Sequence, residues 1–271
     1  MKIIEKKTLA DFPGTRITQF KILAPLVALK ANAGQFVVVM AKKEGERIPL
    51  TIVDKDAETV TLIFQEAGFT TSLLGQLKEG DFLYALAGPL GNPTEIRRYG
   101  SVMLVGGGVG IAEIYPVAKA LKRAGNSITC VAGAKSKGLL ILEKELRETS
   151  DTLLISTDDG SAGKKGFTTD TVVELLGEKN YDLVYCVGPI PMMKKTSELT
   201  RKYGVKTFVS LNALMVDATG MCGCCRVTVG KETKFSCVDG PEFDAHQVDW
   251  DELGKRNAMY REKEKHICKI Q

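Results

Sequence analysis

The sequence predicts a chain of mixed class, all-β followed by α/β. An antiparallel β-barrel or small sheet is expected over residues 1–98, a doubly wound five-stranded parallel sheet over 99–212, and a small cysteine-bearing segment over 213–271. Three observations carry this prediction. Short β-like runs in the first region are punctuated by Gly and Pro, with no long amphipathic helix between them. From Ser101 onward, strand-like and helical stretches alternate. Beyond about Ala213 the alternation stops, and Gly and Cys crowd into a loop that runs to Pro241.

The β-like runs of the first region are Gln35–Ala41, Thr59–Gln65 and Phe82–Ala87. In the second, Ser101–Val105 leads into Gly106-Gly107-Gly108-Val109-Gly110 and a helical stretch to about Ala124. Strand-like runs at 127–133, 152–157, 182–187 and 206–211 then alternate with helical stretches near 139–149, 168–177 and 190–203. Ligands of such sheets bind at the carboxyl ends of the strands. Those ends carry Gly106–Gly110, Gly133-Ala134-Lys135-Ser136, Asp158-Asp159-Gly160-Ser161 and Gly188-Pro189.

At 271 residues the chain exceeds the roughly 100–200 of one domain, so separate cores are expected. Its net charge is only +4, with Lys and Arg interspersed among Asp and Glu. That distribution makes no case for nucleic acid and leaves room for a weak attraction to an acidic protein. The start, Met1-Lys2-Ile3-Ile4-Glu5-Lys6-Lys7, has no apolar signal core, and no apolar run of about 18 residues occurs. The chain is read as cytoplasmic, with no membrane partner. With two histidines, no Ser/His/Asp set and no paired carboxylates, nothing suggests hydrolysis, and no catalytic residue is singled out.

Seven cysteines are an odd number, and four of them fall within residues 222–237. In a reducing compartment such crowding points to metal rather than disulfides. Cys222-x2-Cys225 with a distant Cys237 suits an iron–sulfur cluster or zinc equally, so the fourth ligand decides. His246, nine residues after Cys237, would complete a zinc site of three Cys and one His. Asp217, five residues before Cys222, stands where the first cysteine of a plant-type 2Fe–2S spacing falls. The residues between are small, and Gly220 can take positive φ in a loop whose N–H groups must turn inward. Cys224 is out of phase with the spacing and reads as a small buried residue; Cys130 and Cys268 also read as structural.

The run Met221-Cys-Gly-Cys-Cys-Arg-Val-Thr-Val229, followed by Cys237-Val-Asp-Gly-Pro-Glu-Phe243, resembles the electron-transfer subunit of bacterial dihydroorotate dehydrogenase. It is more similar still to the small subunit of NADH-dependent reduced ferredoxin:NADP oxidoreductase, also called a sulfide dehydrogenase subunit. The resemblance spans nearly the whole chain in the same domain order. It implies a ferredoxin reductase-like protein: an FAD-binding β-barrel at 1–98, an NAD(P)-binding domain at 99–212 and a 2Fe–2S segment with its tail at 213–271. The dihydroorotate branch has four cysteine ligands. An aspartate at the first position favours the ferredoxin:NADP branch, and it makes Asp217 an expected iron ligand with Cys222, Cys225 and Cys237.

Arg47-Ile48-Pro49-Leu50-Thr51 lies between two strand-like runs, and alone it reads as a surface Arg beside a strand. A flavin needs a cation near its phosphates, a hydroxyl toward its ring and a rigid turn, which Arg47, Thr51 and Pro49 suit. The resemblance implies FAD binding through an R-P-x-S/T segment. Pro49, Leu50 and Thr51 match it, and the Arg is displaced by one residue. It also implies contacts from Ile63, Phe64 and Gln65 and from the turn Gly68-Phe69-Thr70-Thr71-Ser72, whose N–H groups would suit a pyrophosphate.

Gly106, Gly107, Gly108, Val109 and Gly110 follow a strand and open a helix, the setting for a pyrophosphate. The match to G-x-G-x-x-G fails at Ile111, and Lys135-Ser136-Lys137 stands where an acidic residue would be expected, which disfavours a strict Rossmann dehydrogenase. Lys135 and Lys137 leave NADH and NADPH both open; the resemblance leans to NADH. It also implies nucleotide contacts from Asp158 and Asp159, and from the Gly188-Pro189-Ile190-Pro191-Met192-Met193 turn under the nicotinamide. The two methionines would equally suit ordinary helix-start packing. Relatives carry Cys directly before that Gly-Pro. Here Val187 takes the place, and Cys186 points to the opposite face of its strand.

The expected function is that of an oxidoreductase subunit passing electrons between NADH, FAD and a 2Fe–2S cluster and a larger flavoprotein or iron–sulfur subunit. The resemblance implies a heterodimer acting in an electron-bifurcating transhydrogenase, with ferredoxin an indirect partner. Two rivals stand beside it: a dihydroorotate dehydrogenase electron-transfer subunit with an FMN-containing partner, and a zinc-stabilised nucleotide-binding regulator without redox chemistry.

Overall fold

The computed structural model describes residues 1–260; Cys268 lies outside the described residues. The chain divides into two compact units, Met1–Pro93 with Ala213–Pro241 and the described residues from Asp249 on, and Thr94–Asn212 with Glu242–Val248.

The first unit opens with β1 (Ile3–Phe12), β2 (Thr15–Leu23), α1 (Pro25–Lys30), β3 (Phe36–Met40), β4 (Ile48–Lys55), β5 (Thr59–Gln65), α2 (Phe69–Gln76) and β6 (Ala85–Leu90). The strands form a single antiparallel sheet in the order β1-β2-β5-β4-β3-β6. The sheet closes on itself, because Ile3 N–H donates to the Asp81 carbonyl and Leu83 N–H to that of Met1, both at 2.9 Å. Period-two alternation sends Val37, Val39, Ile52, Val60, Leu62 and Phe64 into a core centred on Phe20, whose ring meets Phe64 edge-on at 5.1 Å. The β1–β2 hairpin is absent from the predicted runs. Its strand Ile-Ile-Glu-Lys-Lys-Thr-Leu-Ala-Asp-Phe is mostly half-buried or exposed, so its apolar signal is diluted by charge.

The second unit contributes β7 (Ser101–Gly107), α3 (Gly110–Arg123), β8 (Ser127–Ala134), α4 (Glu143–Thr149), β9 (Thr152–Thr157), β10 (Lys164–Lys165), α5 (Thr168–Glu178), β11 (Leu183–Val187), α6 (Ile190–Lys202) and β12 (Thr207–Ser210). β7, β8, β9, β11 and β12 are the five expected parallel strands, ordered β9-β8-β7-β11-β12. Strand order reverses between β7 and β11. α3 packs with α4, and α5 with α6, as double winding requires. Their near-continuous burial, complete from Val102 to Gly107 and from Leu183 to Val187, is that of strands covered on both faces.

In the C-terminal segment, β13 (Arg226–Val229) and β14 (Glu232–Phe235) form a hairpin in the first unit. β15 (Glu242–Asp244) adds antiparallel to β12, and α7 (Trp250–Asn257) belongs again to the first unit. The parallel sheet thus gains two strands at its edges, the two-residue β10 and β15. Among the described residues no helix is long and apolar enough to cross a membrane.

Candidate cofactor sites

At the switch point of the parallel sheet, the loop after β7 meets the turn after β11. A Cβ on Gly107 would lie 2.5 Å from Met192 Sδ, and one on Gly110 would lie 2.5 Å from the Val187 carbonyl oxygen. These glycines are needed because the Gly188-Pro189 turn packs directly on the loop. Gly108 differs: its φ is +58° and nothing lies within 4 Å of its Cβ position, so it needs only the left-handed backbone. Its N–H is already used, donating to the Gly133 carbonyl at 2.8 Å. The amides heading α3 are then those of Val109 and Gly110. The methionine pair divides, Met193 fully buried as core and Met192 half-buried against the glycine loop. Cys186 is fully buried, and burial pushes its thiol up to about 12, as it does for Cys130.

The turns after β8 and β9 are joined by one hydroxyl. Ser161 Oγ accepts the Lys137 N–H at 2.7 Å and donates to Asp159 Oδ1 at 2.6 Å. That hydrogen bond holds the exposed Asp159 carboxyl below its usual range. Lys135 and Asp158 are exposed beside it, with the Asp158 N–H on the Ala134 carbonyl. Ser136 Oγ is buried and has no hydrogen-bond partner among the described residues, a donor suited to a bound polar group at this edge.

On the barrel, β4 sorts the expected flavin residues by face. Ile48, Leu50 and Ile52 pack on the core, so Pro49 and Thr51 share the opposite face, while Arg47 stands exposed just before the strand. On neighbouring β5, Phe64 is a core residue, while Ile63 and Gln65 lie on the outer face. The side chains of Leu50 and Phe64 are thus taken up by the core, although they were expected at the flavin. Gly68 heads α2, and two hydroxyls of the turn are spent locally. Thr71 Oγ1 accepts the Gly68 N–H at 3.0 Å, and Thr70 donates to Glu46. Ser72 is half-buried in the first turn of the helix.

The cysteine segment owes its spacing to the hairpin. Four residues of β13, the two-residue Gly230-Lys231 turn, four of β14 and Ser236 fill the interval between Cys225 and Cys237. Both turn residues have positive φ, as a tight hairpin requires. Closure brings the two Sγ atoms to 3.2 Å, and Ser236 N–H donates to the Cys225 carbonyl at 3.1 Å. On the other side of the loop, N–H groups of Cys224 and Asp217 point at the exposed Cys222 thiol and hold it below its usual range. Burial pushes Cys237 up to about 12, with the Gly220 N–H partly offsetting this. Gly220 has the expected positive φ, at +83°, and so does Ala218, at +62°. Cys224, expected to be buried, is half-buried, and its carbonyl accepts from Arg256 of α7 at 3.0 Å.

Among the described residues no three His, Cys, Asp or Glu are gathered tightly enough to hold one metal ion. Of the predicted ligands, Cys225 and Cys237 meet at their sulfurs, and the Asp217 backbone N–H faces the Cys222 thiol. Two irons with two protein ligands each suit that arrangement better than a single tetrahedral zinc. Ser236 Oγ, fully buried beside the Cys225–Cys237 pair and without a partner among the described residues, offers a donor to a sulfur group. His246 Nε2 lies 3.1 Å from Thr200 Oγ1 in the second unit, so its ring is engaged away from zinc chemistry. Asp217 Oδ1 is 3.6 Å from Arg47 Nη1, and Thr219 donates to Oδ2.

A closed antiparallel barrel, a nucleotide-type parallel sheet and a thiolate loop with inward N–H groups define an iron–sulfur oxidoreductase built on a ferredoxin reductase-like fold. Residues 212–249 match the iron–sulfur cluster binding domain of dihydroorotate dehydrogenase B, and residues 104–198 match the oxidoreductase NAD-binding domain. The chain is 52% identical to the dihydroorotate dehydrogenase B (NAD(+)) electron transfer subunit homolog of Thermotoga maritima, over 97% of this chain and 93% of that protein. A solved structure of NADH-dependent reduced ferredoxin-NADP oxidoreductase, described for flavin-based electron bifurcation, is 50% identical. It superposes with a TM-score of 0.92 over 97% of this chain and 95% of the other. Plasmodium falciparum ferredoxin-NADP+ reductase, 15% identical with a TM-score of 0.59 over 74% of this chain and 88% of its own, shares the fold. The chain belongs to the family of dihydroorotate dehydrogenase B electron-transfer subunits and their homologues. Its matched domains are those for an iron–sulfur cluster and a nicotinamide dinucleotide, and the ferredoxin reductase-like fold supports FAD beside them. The iron–sulfur match to residues 212–249 removes the zinc-regulator alternative.

Proposed function

We propose that this chain is the smaller subunit of an electron-bifurcating NADH-dependent ferredoxin:NADP+ oxidoreductase, working in the cytoplasm as a heterodimer with a larger flavoprotein or iron–sulfur subunit. The observation that carries the reading is Asp217 at the first ligand position, beside Cys222, within a chain 50% identical to the solved bifurcating oxidoreductase. When bound, FAD would supply a hydride acceptor for NADH, and a 2Fe–2S cluster would supply one-electron transfer toward the partner.

The chain's own residues orient and tune. Gly107, Gly110 and Gly188 let the loop and the nicotinamide-side turn approach, and the α3 amides of Val109 and Gly110 offer donors to the pyrophosphate. Asp158, Asp159 and Lys135 line the adenosine side. Pro49, Thr51, Ile63 and Gln65 present the flavin face of the barrel, with Gly68 and Ser72 at the head of α2. Cys225 with Cys237 would hold one iron, and Asp217 with Cys222 the other. Supporting the dihydroorotate branch as a second reading are relatives such as the Caldanaerobacter subterraneus electron transfer subunit, 36% identical over 81% of this chain and 87% of that protein.

Anaerobic purification from the native cell, with cofactor analysis and identification of the partner, tests the proposal. A brown protein with FAD and iron that bleaches on NADH addition, co-purifying with a large iron–sulfur flavoprotein, is the expected outcome. An FMN-containing dihydroorotate-oxidising partner would replace it with the second reading. Asp217→Ala tests the ligand separately: an unchanged cluster spectrum and potential would give the position to another residue.

A further inference from the structure

Arg47 belongs in sequence to the segment expected to hold the flavin, yet the family's R-P-x-S/T pattern would put its cation at position 48. Ile48 occupies that position and packs on the barrel core. Arg47 stands just before β4, exposed, and its guanidinium meets the Asp217 carboxylate, Nη1 to Oδ1, at 3.6 Å.

We propose that Arg47 is a positioning and charge-balancing residue of the iron–sulfur cluster, orienting Asp217 as a ligand and favouring the reduced cluster. The inference rests on the reading of Asp217 as the fourth ligand. A carboxylate offers about four lone-pair positions. The Thr219 hydroxyl takes one on Oδ2. Arg47 pairs with Oδ1 electrostatically, as an ion pair at 3.6 Å, and leaves its lone pairs open to iron. Taking up one electron adds one negative charge to the cluster and its ligands. A guanidinium beside one ligand lowers the cost of that charge, by an amount limited because Arg47 is half-exposed. Arg suits this role better than Lys through its planar fork of donors.

The test uses the full chain, purified anaerobically with its cofactors, and the variants Arg47→Gln and Arg47→Lys. FAD and iron content are measured, and the cluster is titrated potentiometrically with its electron paramagnetic resonance spectrum as readout. The Gln variant should keep its FAD, show altered spectral anisotropy and titrate at a more negative potential, with Lys restoring most of the potential. In the Asp217→Cys background the Gln substitution should shift the potential less than in the native chain. A Gln variant with native cluster potential and spectrum overturns the proposal, and so does one that loses FAD while its cluster is unchanged. An equal shift in both backgrounds overturns it as well. A native spectrum in Asp217→Ala instead removes the ligand reading beneath it, a separate result.

Discussion

The two units build their sites in opposite ways. In the nucleotide unit the predicted contacts sit at strand ends, in the turns just after them or in the first turn of the helix that follows, so one sheet edge gathers them. In the barrel unit the contacts come from chain segments far apart: Arg47 stands just before β4, the loop supplies Asp217 and Cys222, and Cys225 and Cys237 flank the hairpin. Further segments anchor that loop. Asn92 N–H, just past β6, donates to the Gly240 carbonyl at 2.6 Å, and Leu214 N–H donates to Asn257 Oδ1 at 3.2 Å. A site made by one sheet edge tolerates change except where backbones touch. A site made by distant segments depends on each anchor.

The strongest break of this contrast is expected at the hairpin base. Cys225→Ser or Cys237→Ser should abolish the cluster, dropping iron per chain to near zero, while NADH still reduces the bound flavin. Iron analysis and anaerobic flavin bleaching in the same sample check this. Loss of flavin reduction together with iron would mean that the two sites are not separable.

The glycine loop offers a comparison inside one motif. Gly110→Ala would place its Cβ against the Val187 carbonyl, a backbone clash that cannot be relieved by a side-chain rotation. About 3 kcal/mol of destabilisation is expected, with loss of NADH-dependent reduction. Gly108→Ala meets open space and only the left-handed backbone cost, about 1 kcal/mol. Chemical denaturation of both variants would separate close packing from conformational demand; equal losses would sink the distinction.

The smallest effect concerns the tie of β15 to the parallel sheet. Glu242 accepts hydrogen bonds from Tyr185 Oη at 2.7 Å and from Thr94, and burial outweighs both in holding its carboxyl above the usual range. The folded chain therefore keeps a proton that the unfolded chain releases as pH rises through the ordinary carboxylate range, so this contribution to stability declines with rising pH. Glu242→Gln should flatten the stability profile from about pH 4 upward. Denaturation midpoints across that range check it, and an unchanged slope would show that Glu242 is ionised in the folded chain.

Local signals made much of the chain legible. Strand and helix alternation located β8, β9, β11 and α3, α5, α6 to within a few residues, because each buries a continuous or one-sided apolar surface of its own. The glycine loop and the Gly188-Pro189 turn were readable for the same reason: their backbone demands are written in adjacent residues. The β1–β2 hairpin was not, since β1 is mostly half-buried or exposed and charge hides the alternation. Nor was the phase of β4, which rests on the core contacts of Ile48, Leu50 and Ile52.

The sequence by itself determined the fold class, the order of its regions and the cysteine positions able to hold a metal group. Those follow from composition, periodicity and spacing, all properties of neighbouring residues. Only the tertiary structure decided which donors pair, that Arg47 meets Asp217, that Thr70 and Thr71 are spent on local bonds, and that Ser236 is enclosed without a partner among the described residues. Each of those depends on which strand face points where and on contacts across many residues, and a one-residue shift in phase reverses them.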